Sequence, residues 1–148
     1  MRLGIGPGEV ATFTKTVTER DLLLTAEITG DHDPLHVDEA YAARTAYGRR
    51  IAHGALVLGL LSSTASTIAH RAIANGAEGV PVSLGYDRVR FLKPVFIGDT
   101  LTARYRVDTT DAEAGRAESA CEVVNQAGET CLVARHILRW VAERPPPA

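Results

Sequence analysis

The chain has 148 residues, which is the usual size of one domain. Its 16 Lys and Arg against 18 Asp and Glu leave a formal net charge of −2, which argues against nucleic acid as a partner because phosphate backbones are bound by a basic excess. Hydrophobic residues make up 45% and charged residues 23%, so the chain can bury a core and its bulk is not expected to be disordered.

The chain begins with a predicted strand and helix. Val10–Val17 is rich in Thr, Val and Phe, a composition typical of strands. Thr18 with Asp21 three residues later forms a variant capping box, which predicts a helix reaching about Thr29. Gly30 is expected to end that helix.

The middle of the chain predicts a loop, a short helix and one long helix. We expect a loop over Gly30–Val37, because Pro34 forces the residue before it away from helical angles. A second short helix is predicted over Asp38–Thr45. From His53 to Asn75, apolar residues recur at three- and four-residue steps and the other faces are apolar too, which predicts a helix buried in a core.

Four strand-like runs fill the rest of the chain. They span Val82–Phe91, Asp99–Asp108, Arg116–Asn125 and Glu129–Val141. Consecutive hairpin connections imply an antiparallel sheet, and one long buried helix needs such a sheet to curl round it. The predicted fold is therefore α+β, one domain over residues 1–143 with an antiparallel sheet wrapped around a long central helix. Residues 144–148 form a Pro-rich tail that we expect to be disordered.

The cellular compartment is predicted from two kinds of segment that the sequence does not show, a membrane span and a signal peptide. The longest apolar run, residues 54–61, is far shorter than the roughly 20 residues of a membrane span, and residues 1–9 do not resemble a signal peptide. We therefore expect a cytoplasmic protein with no membrane partner. Cys121 and Cys131 lack the spacing of a zinc site and are predicted to be half-buried free thiols, although they could face each other across a hairpin.

The densest cluster of reactive side chains is the segment GDHDPLH, residues 30–36. The turn at Pro34 could bring Asp31 and His36 together around a single water, and such a pair suits general acid and base catalysis. The same residues equally suit an Asx turn that caps the adjacent helices. Spacing alone leaves both interpretations open.

Metal binding competes for this segment. Asp31, His32, Asp33, His36 and His53 are all of metal-ligand type. Because Pro34 prevents His32 and His36 from occupying successive turns of one helix, we expect no metal.

Gly54 stands at the predicted start of the long helix. Glycine there allows close approach to unpaired backbone amides, which favour developing negative charge as in an oxyanion hole. It would also suit packing of the helix against the sheet, and the sequence does not decide between the two. His70 and His136 stand alone and are predicted to be ordinary surface or packing histidines.

Three segments resemble one known family. ITGDHDPLHVDEAYA resembles the signature of the MaoC-like hydratases, usually GDxNPxH, and GRRIAHGALVLGLLS resembles the segment that follows it. VRFLKPVFIGDTL is similar to a later strand and turn of that family, although this block is shared more loosely among hot-dog proteins. The three blocks lie in the family's order, and the resemblance covers nearly all of residues 10–140. The implied fold is a single hot-dog domain, which usually pairs into a dimer.

The resemblance implies hydration of trans-2-enoyl thioesters of coenzyme A or an acyl carrier protein to (R)-3-hydroxyacyl products, or the reverse dehydration, with no cofactor. It implies Asp31 and His36 as a catalytic dyad and Gly54 as an oxyanion amide, with Ser62 supporting Asp31. His53 and Asp33 are further supporting candidates. Arg88, Arg90 and Lys93 are candidates for contacts with carrier phosphates, although a charged strand face is usually only solvated.

One departure from the family pattern is Asp33, which stands where the family usually has Asn. An aspartate can accept the same backbone hydrogen bond, and its charge favours the imidazolium form of His36. We therefore expect the activity optimum to be more alkaline than that of an Asp33→Asn variant, and equal pH profiles would disprove this.

Two other functions compete with hydration. A hot-dog thioesterase would need an acidic group on the long helix, yet residues 54–75 contain no Asp or Glu. A non-catalytic subunit supporting an active partner in a heterodimer would have no chemical need of Asp31 and His36.

Overall fold

The computed structural model describes residues 1–144. The Pro-rich tail predicted over residues 144–148 therefore lies outside the described residues, apart from Arg144. The strands are β1 (Val10–Thr16), β2 (Val80–Phe91), β3 (Thr100–Asp111), β4 (Arg116–Val124) and β5 (Thr130–Val141). The helices are α1 (Glu19–Thr29), α2 (Pro34–Val37), α3 (Glu39–Ala42) and α4 (Gly54–Ala74).

The five strands form one antiparallel sheet in the order β1-β3-β4-β5-β2. Alternate side chains of β3 and β4 are buried, as expected for a sheet with one face on the core and one face outside. Helix α4 lies against the buried face and contacts all five strands. The predicted α+β class, with a sheet wrapped around a central helix, is confirmed.

The expectation of consecutive hairpins holds only for β3, β4 and β5. Strand β2 pairs with β5, and β3 pairs instead with β1, so the connection from β2 to β3 is a crossover and not a hairpin. Along this connection, residues 92–99, Phe96 forms a bridge with Ile51, and the Ala52 amide donates to the Val95 carbonyl at 2.7 Å. These bonds hold the crossover beside the start of α4, where the candidate site lies.

Helix α4 buries one face against the sheet, whereas polar residues such as Ser66 are exposed on the other, so the expectation that its remaining faces are also apolar was wrong. Val57, Leu61, Ile68 and Ala72 are among its buried residues. By length and composition alone the helix could cross a membrane, which the shorter apolar run in the sequence did not indicate. In this fold the same side chains pack against the sheet.

The two cysteines are free thiols, as predicted, but they are buried rather than half-buried. Cys121 on β4 lies opposite Ala134 of β5, so the two cysteines do not face each other across the hairpin. Both side chains lie in the hydrophobic core, where a free cysteine packs like a small apolar residue.

Candidate active site

The segment from Gly30 to His36 is shaped by two helix caps. Gly30 ends α1 in the left-handed conformation, at φ 77°, as predicted. The Asp33 side chain then caps α2 by accepting a hydrogen bond from the Leu35 amide at 2.8 Å. Pro34 occupies the first turn of α2, where its missing N–H costs no hydrogen bond. The predicted loop over Gly30–Val37 was therefore wrong for its second half, because proline restricts the residue before it and not those after it.

His36 lies on α2 with its ring oriented by a backbone group. Its Nδ1–H donates to the Ile51 carbonyl at 2.7 Å, which leaves Nε2 as the basic nitrogen of the neutral ring. Nε2 lies 4.0 Å from Oδ2 of Asp31. This separation is too long for a direct hydrogen bond and suits one water molecule that bonds to both atoms.

His53 is a buried neighbour of the Asp31–His36 pair. It is 2% exposed, and its Nε2–H donates to the backbone carbonyl of Asp31 at 3.0 Å. Its ring stacks on that of His36, with centroids 3.8 Å apart and an interplanar angle of 27°. His53 therefore contacts both members of the candidate dyad. Within residues 1–144 its Nδ1 is buried without a hydrogen-bond partner.

Gly54 is the first residue of α4, so its amide has no acceptor within the helix. A Cβ atom on Gly54 would lie 2.7 Å from the ring of Phe91, much closer than real side chains approach. The close approach of Phe91 accounts for a glycine at this position, and the role of its amide as an oxyanion donor stays a prediction.

A cavity of about 340 Å³ opens beside these groups. Its wall includes His36, Gly54, Val57, Phe91 and Cys131. Burial raises the pKa of Cys131, so this sulfur remains a neutral thiol near neutral pH and not a nucleophilic thiolate. The groups of the cavity that suit the proposed chemistry are then the imidazole of His36 and the amide of Gly54. Asp31 does not line the cavity and lies next to it through its carboxylate, 4.0 Å from His36 Nε2.

In the part of the chain that the structure describes, one set of ligand-type residues comes together: Asp31, His36 and His53, each with a ligand atom within 4.8 Å of the others. His32 and Asp33 from the sequence list are not part of it. The Asp31 Oδ2 and His36 Nε2 atoms, 4.0 Å apart, are farther from each other than two ligands on a tetrahedral zinc with bonds of about 2.0–2.2 Å. His53 Nε2 is also engaged with the Asp31 carbonyl. The arrangement fits a water better than a tetrahedral zinc ion.

Ser62 lies about two turns along α4 from Gly54 and is exposed. Among the hydrogen bonds of residues 1–144, none joins Ser62 to Asp31, so this geometry does not reproduce the expected support.

The three cationic candidates lie near the end of β2 and are exposed. Lys93 borders the cavity and forms an ion pair with Glu129 at 2.5 Å. Arg88 adopts a positive φ of 53° at an irregularity of the β2–β5 ladder, and Arg90 donates to the neighbouring Val89 carbonyl. Of the three, only Lys93 lines the cavity.

The other lone histidines are as predicted. His70 is exposed on α4, and His136 is a fully buried packing residue. Sequence reasoning missed Ile51 as the acceptor for His36 and Phe91 as the neighbour of Gly54. Phe91 lies within the third family-like segment, VRFLKPVFIGDTL, which was the available signal.

A sheet wrapped around one helix, with an acid and an imidazole meeting beside the start of that helix, defines a hot-dog protein of the hydratase type. The chain belongs to the MaoC-like domain family, whose sequence pattern matches residues 6–129.

Named relatives and solved structures agree with this membership. The chain is 38% identical over 119 residues to a 3-hydroxybutyryl-CoA dehydratase of Methylorubrum extorquens and 41% identical over 103 residues to an (R)-specific enoyl-CoA hydratase of Rhodospirillum rubrum. These alignments cover 80% and 70% of this chain, and 69% and 66% of the two relatives, about two thirds of their length. An unliganded R-hydratase of Pseudomonas aeruginosa superposes with a TM-score of 0.75 at 34% identity, covering 97% of this chain and 92% of that one. An (R)-hydratase of Aeromonas caviae gives 0.79 at 26% identity, with coverage of 93% and 98%.

Proposed function

We propose that this chain is a hydro-lyase that hydrates trans-2-enoyl thioesters to (R)-3-hydroxyacyl thioesters and catalyses the reverse dehydration. The observation that carries the proposal is the 4.0 Å separation between His36 Nε2 and Asp31 Oδ2, beside the free amide of Gly54. The named relatives at 38% and 41% identity are enzymes of this reaction class, and the substrate proposed here is the coenzyme A thioester.

The reaction adds a water across the C2–C3 double bond. The water between Asp31 and His36 attacks C3 through its oxygen as one member of the pair takes its proton, and the other member helps deliver a proton to C2. The negative charge that develops on the thioester oxygen is stabilised by the Gly54 amide. Hydration needs no oxidant or reductant, so the acid, the base and the oxyanion donor are sufficient for the reaction. General acid and base catalysis contributes roughly 10²- to 10⁴-fold, and one oxyanion donor about 10²- to 10³-fold.

The test is an assay with crotonyl-CoA. The enzyme should remove the enoyl absorbance without releasing free thiol, and chiral analysis should identify the product as (R)-3-hydroxybutyryl-CoA. Asp31→Asn and His36→Ala should each lower kcat by at least about 10²-fold because each removes one side of the water site. His70→Ala, which changes an exposed histidine elsewhere on α4, is the control and should retain full activity.

Each other outcome of this assay points to a different function. Release of thiol would indicate a thioesterase. The absence of any reaction with enoyl thioesters of several chain lengths would favour the supporting subunit of a heterodimer. Full activity in either dyad variant would contradict the role given to that residue.

We propose Lys93 as the first of the three cations to meet the carrier phosphates, because it alone borders the cavity. Arg88 and Arg90 are exposed on the same stretch of chain and extend the positive surface beyond it. Lys93→Gln should raise KM for crotonyl-CoA but not for crotonyl pantetheine, which lacks the phosphates. An equal change for both substrates would contradict this assignment.

We further propose a cytoplasmic homodimer joined through β2. This strand is a free edge of the sheet and exposes Val80, Val82 and Leu84. Exposed apolar edges pair readily with another strand.

The proposed cytoplasmic location is supported by the cysteines. The free thiols of Cys121 and Cys131 suit a reducing compartment.

The mass in solution tests the homodimer. Sedimentation should give twice the chain mass, and Leu84→Lys should shift the protein toward monomer because it places a charge in the shared edge. Val10→Lys, on the opposite edge strand β1, is the matched control and should remain dimeric. A monomeric wild type, or equal effects of the two variants, would rule out this interface.

A further inference from the structure

Phe91 forms the wall of the cavity directly over the start of α4. Its ring atoms Cζ, Cε1 and Cε2 lie 2.7, 2.8 and 3.0 Å from where a Cβ of Gly54 would stand. The ring therefore fills the space that a side chain at Gly54 would occupy. His36 borders the same cavity, so the ring stands on the side of the reaction centre defined by the Gly54 amide.

The position of Phe91 is fixed by backbone pairing rather than by burial of its ring. Phe91 is the last residue of β2 and pairs with Leu132, and the next amide, Leu92, donates to the Cys131 carbonyl at 2.8 Å. Just before this pairing, the β2–β5 register shifts between Asp87 and Arg90. This irregularity changes the direction of the last residues of the strand. The Phe91 side chain is 58% exposed, so the hydrophobic core does not account for a large aromatic residue here.

We infer that Phe91 determines substrate specificity by excluding acyl chains that carry a substituent on C2. This inference rests on the proposed function, in which the thioester oxygen accepts a hydrogen bond from the Gly54 amide. C2 and the thioester sulfur are both two bonds from that oxygen, and in this proposal C2 is the atom that lies beside the ring covering Gly54. A hydrogen on C2 fits next to the ring, whereas a methyl group at C2 competes with it for the same space.

The experiment compares crotonyl-CoA with 2-methylcrotonyl-CoA. Wild type should strongly prefer crotonyl-CoA. Phe91→Ala and Phe91→Leu should raise the ratio of kcat/KM for the methylated substrate to that for crotonyl-CoA by roughly 10- to 200-fold, the range for one methyl group in an apolar pocket. Phe13→Ala removes a partly exposed phenylalanine on β1 that does not line the cavity, and it should leave the ratio unchanged.

The outcomes separate this inference from the function on which it rests. If wild type hydrates no enoyl thioester of any chain length tested, the proposed function itself fails. If wild type hydrates crotonyl-CoA but accepts the methylated substrate equally well, or if both Phe91 variants leave the ratio unchanged, the specificity role is wrong. Phe91→Leu keeps an apolar side chain at the cavity wall and provides the measurement should Phe91→Ala not fold.

Discussion

At the scale of single residues, two hydrogen bonds to backbone carbonyls prepare the proposed dyad. The bond from His36 Nδ1 to Ile51 fixes which ring nitrogen is basic, and the bond from His53 to the Asp31 carbonyl holds the chain that carries the carboxylate. Neither Ile51 nor His53 needs to touch the substrate to do this. Their effect on catalysis comes through the position of the two groups that hold the water.

Two substitutions of His53 separate its hydrogen bond from its stacking contact. His53→Gln keeps an amide donor for the Asp31 carbonyl, and His53→Phe keeps a ring to stack on His36 but donates no hydrogen bond. We expect His53→Phe to lower kcat by up to about 10²-fold with a smaller change in KM, because misplacing a catalytic group by about 1 Å has this effect. His53→Gln should recover part of the loss.

Steady-state kinetics with crotonyl-CoA measures this difference, and circular dichroism checks that both variants fold. If the two variants lose equal activity, or if His53→Phe is the more active, the hydrogen bond to Asp31 does not position the carboxylate.

Sequence reasoning could select Asp31, His36 and Gly54 as candidates because they lie in short contiguous motifs, and their catalytic roles stay predictions. It could not find the Ile51 acceptor or the stacking of His53 on His36, which depend on where the chain returns after 15 to 17 residues. The unusual Asp33 was also understood correctly as a cap, since its carboxylate accepts from the Leu35 amide. Its effect on the pH optimum stays a prediction.

At the scale of elements, the site depends on how α2, α4 and the β2–β3 crossover are joined. The capping box at Thr18 was predictable because its hydrogen bonds are local, and the start of α4 because the apolar periodicity begins there. Both are observed, although His53 before α4 makes no side-chain cap hydrogen bond. The crossover was not, because strand order depends on long-range pairing that turn signals do not specify. The pairing of β2 with β5 places Phe91, and the bonds of the crossover to Ile51 and Ala52 hold the start of α4 beside it.

The contact between the first residue of α4 and the end of β2 predicts a coupled pair of substitutions. Gly54→Ala adds a methyl group 2.7 Å from the Phe91 ring and should force the ring into the cavity or out to solvent. We expect kcat/KM for crotonyl-CoA to fall at least about 10-fold, since groups in contact must rearrange. Phe91→Leu in the same chain should restore part of the loss because its side chain is smaller.

A double-mutant cycle in kcat/KM for crotonyl-CoA measures the coupling. Strictly additive losses would show that the alanine methyl acts on the amide or the backbone, and not through Phe91.

At the scale of the whole molecule, the strands of the described sheet carry one histidine, and it lies in the interior. His136 on β5 is fully buried, with one ring nitrogen bonded to the Tyr105 hydroxyl at 2.8 Å and the other to the Ser83 hydroxyl at 2.7 Å. A neutral imidazole satisfies both contacts, since it donates through one nitrogen and accepts through the other. These bonds link β5 to the neighbouring edge strand β2 and across the sheet to β3.

This histidine should make the fold less stable in mild acid. Burial lowers the pKa of His136 from 6.5 to about 4, so below pH 6.5 the unfolded chain binds a proton that the folded chain does not. Its contribution is thus fully present above pH 6.5 and is lost as the pH falls toward about 4, with a slope of at most about 1.4 kcal/mol per pH unit from this one group. Urea unfolding at several pH values between 7 and 4 measures that slope. His136→Gln, which retains a donor and an acceptor but does not titrate, should unfold with a smaller dependence on pH in this range. Identical slopes for wild type and variant would mean that His136 is protonated without cost in the folded state and that other groups set the acid limit of the fold.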